Sequence, residues 1–283
     1  PAIRTYAATF AGDARALSTT ETLTDLLDDA SLDVRVRAAQ SLLVLSQPAP
    51  IDRQEDITRL VYPATEENPR WTEGSIVQLN DGSLLYAVTK FLDGGSDFSQ
   101  AHIVARTSDD GGRTWGPQRV LQESSGKMNV MSTTLRRLAP PRDNTIAMFF
   151  LEKNSFDNLH AYVRFSTDEA ETFGQRIRVT SEPGYHVMNN DRVTQLSTGR
   201  LLAPVASTPD VRKDNHFISY CWLSDDGGKS WRKGTGQVDQ PKRGAMEPEV
   251  IELSDGRGMM IVRTQLGFIA NSFSSEVETP GEA

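Results

Sequence analysis

Three stretches of the chain share one pattern of apolar and polar positions. They are "LNDGSLLYAV" (79–88), "LSTGRLLAPV" (196–205) and "LSDGRGMMIV" (253–262). In each stretch a leucine and two polar residues lead to a glycine, and a run rich in apolar residues follows. Apolar runs on either side of a short glycine-containing loop are typical of a β-hairpin. The pattern therefore predicts a strand, a two-residue turn and a second strand at each of the three places.

A second sequence signature recurs with the same period as these hairpins. "SDDGGRTWG" begins at Ser108, "STDEAETFG" at Ser166 and "SDDGGKSWR" at Ser224, so successive copies are evenly spaced. Ser and Asp side chains can accept backbone N–H groups in a tight turn, glycine supplies positive φ, and the aromatic ring pins the loop to its sheet. About four strands fit one period, which predicts the blades of a β-propeller. A tandem of unrelated hairpins is the alternative, and the shared period favours the propeller.

Residues 1–47 lack the β pattern. Within "ETLTDLLDDASLDVRVRAAQSLLVL" (21–45), apolar residues recur at helical spacing and predict two helices separated by a polar break at Ser31–Asp33. The second helix resembles the second helix of a HEAT repeat, a unit that buries its apolar face by stacking on neighbours. We expect the segment either to end a helical array or to pack on the β region, and to offer a surface for protein contact. Residues 48–56, with two prolines, are the predicted linker.

Composition narrows the classes of partner. The chain has 283 residues, a net charge of −8 and a sequence pI near 5.1, which disfavours nucleic acid and anionic membrane surfaces as partners. Cys221 is the single cysteine, so an intrachain disulfide and a cysteine-based zinc cluster are excluded. The longest apolar runs, such as "IAMFFL" (146–151), are too short to span a bilayer.

No cofactor or metal site is predicted. The four histidines have no metal-ligand spacing; they are His102, His160, His186 and His216. The chain also lacks a P-loop, a dinucleotide fingerprint and a G-x-S-x-G elbow.

The S-x-D-x-G-x-x-W signature resembles the Asp-box (BNR repeat) of the sialidase, or neuraminidase, superfamily, whose fold is a six-bladed β-propeller. The resemblance covers residues 57–283 and implies a mainly β chain with about four blades, an incomplete propeller domain that we expect to be a fragment. "SFSSEVETPGEA" (272–283) resembles a decayed Asp-box with Pro280 in the aromatic position. In this family the Asp-boxes lie at the blade periphery, so we expect them to be structural. The resemblance also favours a secreted or periplasmic location.

The fourth predicted blade holds the strongest candidate site pair. Glu247 precedes the hairpin in "MEPEVIELSDGRGMMIVRT", and Arg263 follows the hairpin in the adjacent predicted strand. The resemblance implies that Glu247 activates a tyrosine nucleophile and that Arg263 belongs to an arginine cluster for the substrate carboxylate, with Glu249 as the alternative to Glu247. Arginine suits that role because its planar fork binds a carboxylate in a bidentate way.

The first predicted blade supplies further candidates. In "ENPRWTEG" the R-I-P motif of sialidases is absent, Thr72 occupies the aligned position, and Arg70 with Glu73 resembles an R-N-S-E-G variant. Both are expected to bind substrate, and the departure from R-I-P leaves the identity of the acidic sugar open. Asp97 lies in a Gly-rich loop ahead of the Asp-box that begins at Ser108. Its spacing from that Asp-box is similar to that of the general acid/base aspartate of sialidases, so the resemblance implies this role for Asp97, with Asp93 as the alternative.

The third predicted blade begins with "GYHVMNNDRVTQL", where polar residues crowd the entry to an apolar strand. We expect Asp191 and Arg192 to line the pocket. Lys153 and Asn154 hold the analogous place in the second blade.

The resemblance implies an exo-acting glycoside hydrolase for sialic acid or a related acidic sugar in glycoconjugates. Asp97 would exchange the aglycone proton, Glu247 would activate a tyrosine, and arginines would hold the sugar carboxylate. The nucleophilic tyrosine and third arginine are expected beyond the end of this chain, and Tyr185 is a loose candidate within it. The alternative is a non-catalytic propeller that binds glycans or serves assembly.

Overall fold

A computed structural model describes residues 2–14, 16–46, 58–140 and 142–274 of the chain. The chain divides into two compact units, residues 1–58 and 59–283. The predicted linker, 48–56, and most of the decayed turn, 275–283, lie outside the described residues. None of the helices in the described segments has the length and apolar character needed to cross a bilayer.

The first unit is helical. Its helices are α1 (Ala2–Asp13), α2 (Thr20–Asp25) and α3 (Leu32–Ser46), with 3₁₀ turns at Leu17–Thr19 and Leu26–Asp28. The polar break lies slightly upstream of its predicted position, because the Ser31 N–H donates to Asp29 Oδ1 at 2.8 Å and α3 begins at Leu32. Small residues let α1 and α3 approach closely, and the Ser41 hydroxyl donates to the Ala8 carbonyl at 2.7 Å.

The second unit contains sixteen strands among the described residues, which we divide into four strand groups in chain order. Group 1 comprises β1 (Trp71–Gln78), β2 (Leu84–Phe91), β3 (Ala101–Ser108) and β4 (Arg119–Gln122). Group 2 comprises β5 (Asn129–Arg137), β6 (Ile146–Ser155), β7 (Asn158–Ser166) and β8 (Ile177–Arg178). Group 3 comprises β9 (Gly184–Val187), β10 (Thr194–Gln195), β11 (Leu201–Thr208), β12 (Ile218–Ser224) and β13 (Arg232–Val238). Group 4 comprises β14 (Met246–Glu252), β15 (Gly258–Arg263) and β16 (Ile269–Ser274).

The chain is mainly β, and each group is an antiparallel meander. Groups 1 and 4 are separate sheets of four and three described strands. Groups 2 and 3 form one nine-stranded sheet, because β7 pairs in parallel with β9 through Asn158↔Gly184 and Leu159↔Tyr185. All other strand pairs are antiparallel, as expected for strands joined by short loops.

The three predicted hairpins are present, but their turns have three residues rather than two. The Leu79 N–H donates to the Ser83 carbonyl at 2.8 Å, and the Gly82 N–H donates to the Leu79 carbonyl at 3.0 Å. The same bonds recur from Leu196 and from Leu253. Each glycine has a φ of +82° to +89°, so it forms the left-handed third position of a turn with a G1 bulge.

The repeated turns at 108–116, 166–174 and 224–232, called the repeat turns below, are held by the predicted hydrogen bonds. In the first, the Gly112 N–H donates to Ser108 Oγ at 2.9 Å and the Thr114 N–H to Asp110 Oδ1 at 2.8 Å. Equivalent bonds reach Ser166, Asp168, Ser224 and Asp226. The Thr114 amide and the Thr172 hydroxyl are the main donors that lower the pKa values of Asp110 and Asp168 to about 2.

An apolar core separates each strand group from the next. Ile103 of group 1 packs in one cluster with Ile146 and Phe150 of group 2. The largest cluster joins groups 2 and 3 through residues such as Phe149 and Trp222. A smaller cluster joins groups 3 and 4; it contains Leu196, Leu202, Leu223 and Val250. Successive groups therefore pack on one another through side chains, which brings their first strands side by side.

Candidate functional site

The first strand of every group is interrupted by a left-handed, non-glycine residue. These residues are Glu73, Ser132, Asp191 and Glu247, with φ of 56°, 58°, 57° and 49°. The register shifts at three of them, and Asp191 lies in the break between β9 and β10. Left-handed backbone costs a non-glycine residue about 1–2 kcal/mol, and such strain concentrates at functional sites. The four bulges therefore mark one candidate site.

Unpaired polar atoms accumulate on the same strands. Six fully buried side-chain atoms at or beside the bulges have no hydrogen-bond partner among the described residues: Thr72 Oγ1, Asn129 Oδ1, Thr133 Oγ1, Thr134 Oγ1, Asn189 Oδ1 and Arg192 Nε. Buried polar atoms are otherwise nearly always paired. Their concentration here supports a polar binding region rather than an apolar core.

The loop between β2 and β3, residues 92–100, carries Asp97 and is called the Asp97 loop below. Arg70, just before β1, donates to Asp97 Oδ1 and to the Gly95 carbonyl, both at 2.7 Å. Its guanidinium also lies 4.6 Å from the ring centre of Phe91. The Asp97 side chain is 57% exposed, so its carboxylate remains open to solvent while it is paired with Arg70.

Glu73 is half-buried beside this pair. Its carboxylate accepts the Ser132 hydroxyl at 2.6 Å, which joins the bulges of β1 and β5. Burial raises the pKa of Glu73, the Ser132 hydrogen bond opposes that change, and the negative charge of Asp97 adds to it. The cluster thus holds one solvent-facing carboxylate and one carboxyl group that retains its proton to higher pH than usual.

Lys153, on β6, lies beneath the Asp97 loop and is only 2% exposed. Its ammonium donates to the Asp97 carbonyl at 2.7 Å and lies 4.6 Å from the ring centre of Phe98 and 5.8 Å from that of Tyr185. Burial lowers the pKa of Lys153 to about 8, while the charges of Asp97 and Glu73 act in the opposite direction.

Asp191 connects group 3 to the bulge of β1. Its carboxylate accepts the Ser75 hydroxyl at 2.9 Å and pairs with Arg136 at 3.3 Å. The neighbouring Asn190 side chain donates to the Gly74 carbonyl at 2.9 Å. Asp191 therefore has two partners within the chain and stabilises the junction between the first and third groups.

Two arginines that are predicted to bind substrate are paired with glutamates. Arg192 forms an ion pair with Glu249 of β14, and Arg263 of β15 forms one with Glu247. All four side chains are between 28% and 49% exposed, so a ligand can compete for the arginines. Met246 is opposite Arg263 in the β14–β15 register, which places the pair at the bulge.

The contacts join the predicted residues into two clusters. Arg70 pairs with Asp97, and Glu73 interacts with both electrostatically, so these three residues form the first cluster. In the second, Arg192 of group 3 pairs with Glu249 of group 4, and Glu247 pairs with Arg263. The loop 188–193 links them, because Asp191 contacts β1 and Arg192 contacts β14. No direct contact between Asp97 and Glu247 is present among the described residues.

Sequence patterns give little weight to three residues of the first cluster. Lys153 is expected only by analogy, and Asn129 and Ser132 are not expected at all. Ser132 lies 59 residues after Glu73. Asp191 follows Ser132 at the same interval, so extending the period to the bulge position would have found Ser132. Among the described residues, no group of three His, Cys, Asp or Glu side chains could hold a metal ion.

A cavity of about 300 Å³ lies away from these clusters. It lies among β11, β12, β13, β14, β15 and β16, and its lining is mainly apolar, with Leu223, Val250, Met260 and Phe273. None of the predicted site residues lines this cavity, so we do not take it as the candidate site.

Comparison with known proteins supports a sialidase-like fold. A model of the BNR repeat-like domain family matches residues 133–282. A sialidase of Micromonospora viridifaciens is 26% identical over 225 residues, covering 71% of this chain and 34% of that protein. A protein of unknown function from Dyadobacter fermentans superposes with a TM-score of 0.62 at 19% identity, covering 76% of this chain and 70% of that chain. The Trypanosoma rangeli sialidase in complex with the inhibitor DANA superposes with a TM-score of 0.57 at 18% identity. The match covers 72% of this chain and 36% of that chain. The chain therefore spans about a third of the curated relative.

Proposed function

Because this chain belongs to the BNR repeat-like domain family, within the sialidase superfamily, we propose that it is a sialidase-like glycoside hydrolase that releases a terminal acidic sugar from a glycoconjugate. Two of the three named relatives are sialidases, and one of these two was solved with an inhibitor. The observation that carries the proposal is the Arg70–Glu73–Asp97 cluster at the bulged first strands. It places a solvent-exposed carboxylate, which can exchange a proton, beside an arginine that can bind an acidic sugar.

We propose that the four strand groups are about four blades of a six-bladed propeller. Each group is antiparallel, and successive groups pack through separate apolar clusters. In such an arrangement the first strands line the axis, which is where the bulges and the unpaired polar atoms occur. The helical unit would then be a separate module that contacts another protein.

The proposed roles follow from charge and exposure. Asp97 is open to solvent and exchanges the proton of the leaving aglycone, while Glu73 contacts the sugar. Arg70, Arg192 and Arg263 bind the sugar carboxylate, with Asp191 holding the loop that carries Arg192. A bound carboxylate would replace the glutamate partner of Arg192 or Arg263 and take over its charge-assisted hydrogen bonds.

Glu247 is proposed as the base for a tyrosine nucleophile. A neutral tyrosine avoids the repulsion that an anionic nucleophile would meet beside the sugar carboxylate. Releasing Glu247 from Arg263 when substrate binds would free its carboxylate for that proton transfer. Tyr185 lies beside the first cluster, but burial raises its pKa and disfavours the tyrosinate, so we assign it no nucleophilic role.

A non-catalytic glycan-binding propeller is the second candidate. The ion pairs of Arg192 and Arg263 favour it, because both arginines are already neutralised within the chain. Such a protein would bind an acidic glycan through the exposed faces of these side chains and leave the glycosidic bond intact.

Turnover of fluorogenic glycosides distinguishes the glycoside hydrolase from the non-catalytic glycan-binding propeller. The 4-methylumbelliferyl glycosides of N-acetylneuraminic acid and of other acidic sugars are incubated with the chain extended past residue 283, with its Arg263→Ala variant and with its Trp115→Phe variant as a matched control in a repeat turn. Hydrolysis that Arg263→Ala abolishes and Trp115→Phe retains supports the hydrolase. Glycan binding without fluorescence release supports the second candidate, and unchanged turnover by Glu247→Gln removes the role given to Glu247.

A further inference from the structure

The Asp97 loop is held by side chains from three different strands or strand entries. Arg70 donates to the Gly95 carbonyl and to the Asp97 carboxylate. Asn129 on β5 donates to the carbonyls of Asp97 and Ser99, both at 2.9 Å. Lys153 on β6 donates to the same Asp97 carbonyl at 2.7 Å. The Asp97 backbone is therefore fixed from beneath while its carboxylate points to solvent.

Lys153 is an unusual group for this location. It is directly opposite Asn129 in the β5–β6 register, so the two donors converge on one carbonyl. The ammonium forms no ion pair with a described carboxylate; its other near neighbours are Met131 Sδ at 3.6 Å and the rings of Phe98 and Tyr185. Burying an ammonium without an ion pair is costly, and an apolar side chain of the same length would fill the space without that cost.

We propose that Lys153 is a positioning residue whose ammonium holds the Asp97 carbonyl and thereby fixes the orientation of the Asp97 carboxylate. The proposal deepens the proposed function, since it rests on Asp97 as the proton-exchanging group. A hydrogen bond from a charged donor is about twice as strong as a neutral one, which offsets part of the cost of burying the ammonium. The ring of Phe98, packed 4.8 Å from that of Phe156, covers the ammonium from above.

The protonation of Lys153 is therefore linked to opening of the loop in a defined pH range. Burial lowers the pKa of Lys153 to about 8, so the ammonium is present below that pH and the weaker amine donor above it. The titratable and charged groups that face it are Asp97 in the loop, Arg70 before β1, Glu73 on β1 and Tyr185 on β9. Asp97 and Glu73 raise the pKa of Lys153, and Arg70 lowers it.

Amide hydrogen exchange of the Asp97 loop tests the proposal without relying on activity. Four of its amides donate hydrogen bonds to loop atoms: those of Leu92, Phe98, Ser99 and Gln100. Opening the loop exposes Lys153 to solvent and returns its pKa towards the ordinary 10.5, so the open loop binds more protons than the closed loop. We therefore expect the protection factors of residues 92–100, corrected for intrinsic exchange, to rise about tenfold between pH 7 and pH 9 in the wild-type chain. Lys153→Met is expected to show lower protection than the wild type at pH 9, with no transition near pH 8.

Lys127→Met is the matched control, because Lys127 is an exposed lysine close to the loop and donates no side-chain hydrogen bond to it. It is expected to match the wild type. Wild-type protection that does not change between pH 7 and pH 9 overturns the proposal, even if Lys153→Met does not fold. Unchanged protection in a folded Lys153→Met variant also overturns it.

Kinetics separates this inference from the proposed function. If the chain hydrolyses an acidic-sugar glycoside, Lys153→Met is expected to lower kcat about tenfold with little change in KM, and to remove a pH dependence near 8. A folded chain extended past residue 283 that hydrolyses no acidic-sugar glycoside refutes the proposed function, while hydrogen exchange still decides whether Lys153 holds the loop.

Discussion

Replacing Lys153 with methionine should change the pH dependence of stability in a calculable way. The lysine has its pKa lowered from the ordinary 10.5 to about 8 in the folded chain, a difference of about 10.5 − 8 = 2.5 units. Each unit corresponds to about 1.36 kcal/mol, so keeping this buried side chain protonated costs the folded state about 3 kcal/mol. Methionine fills a similar volume and carries no charge.

The direction in which the free energy of unfolding changes with pH follows from the number of protons that each state binds. Below pH 8 both states of the wild type are protonated, and the folded state bears the full burial cost. Between pH 8 and 10.5 the unfolded state binds more protons, so the free energy of unfolding of the wild type rises with pH by about 3 kcal/mol relative to the variant. At pH 7 the variant loses a charge-assisted hydrogen bond worth about 2 kcal/mol, so we expect it to be about 1 kcal/mol more stable than the wild type. At pH 10.5 we expect it to be less stable.

Urea unfolding followed by tryptophan fluorescence measures this difference in the β unit alone. All four tryptophans belong to residues 59–283: Trp71, Trp115, Trp222 and Trp231. The other titrating groups are common to both proteins and cancel in the difference, and Lys127→Met is expected to follow the wild type at every pH. A stability difference between Lys153→Met and wild type that is constant from pH 7 to 10.5 would refute the reasoning.

Three further predictions concern backbone strain and carboxyl groups. Gly244→Ala should destabilise the β unit by about 3 kcal/mol or more in urea unfolding, because a Cβ there would collide with the Phe217 carbonyl. Gly256→Ala is the control: its φ is nearly the same but the space around it is open, so it should cost only about 1–2 kcal/mol. Glu73→Gln should gain stability over wild type as pH rises above the ordinary Glu pKa of 4.5, because the wild-type carboxyl group must then be buried charged; equal pH profiles in thermal unfolding would contradict this. The pKa values of about 2 at Asp110 and Asp168 predict that stability falls as pH drops below the ordinary 3.8 towards 2, and Asp110→Asn should flatten that fall in an acid titration of tryptophan fluorescence.

Sequence reasoning succeeded where the determining residues are close together in the chain. The hairpin at 79–83 and the repeat turn at 108–116 are each specified within one short segment by glycine, aspartate and serine. The pairs Arg70–Asp97 and Glu247–Arg263 lie within or across one hairpin, so their contact follows from strand pairing.

The remaining parts of the site depend on packing between strand groups. Lys153 and Asp97 are 56 residues apart and meet only because β6 passes beneath the Asp97 loop. Arg192 and Glu249 are 57 residues apart on different groups. The bulges were also hidden, because Glu73, Ser132 and Glu247 adopt positive φ without the glycine that usually signals it. No local sequence pattern predicts these contacts. Their sequence separations are close to the period of the repeat, because the partners lie on successive strand groups.

The parallel pairing of β7 with β9 has a consequence for how the β unit comes apart. Backbone hydrogen bonds run without interruption from β5 to β13. Group 1 adheres to this central sheet through side chains, and group 4 adds to its side-chain contacts one isolated backbone bridge between Phe217 and Gly244. Groups 2 and 3 are therefore expected to melt as a single foldon, with the outer groups detaching first under denaturant. Since Arg70 and Glu73 belong to group 1 and Glu247 and Arg263 to group 4, the chemistry would be lost before the sheet that supports it.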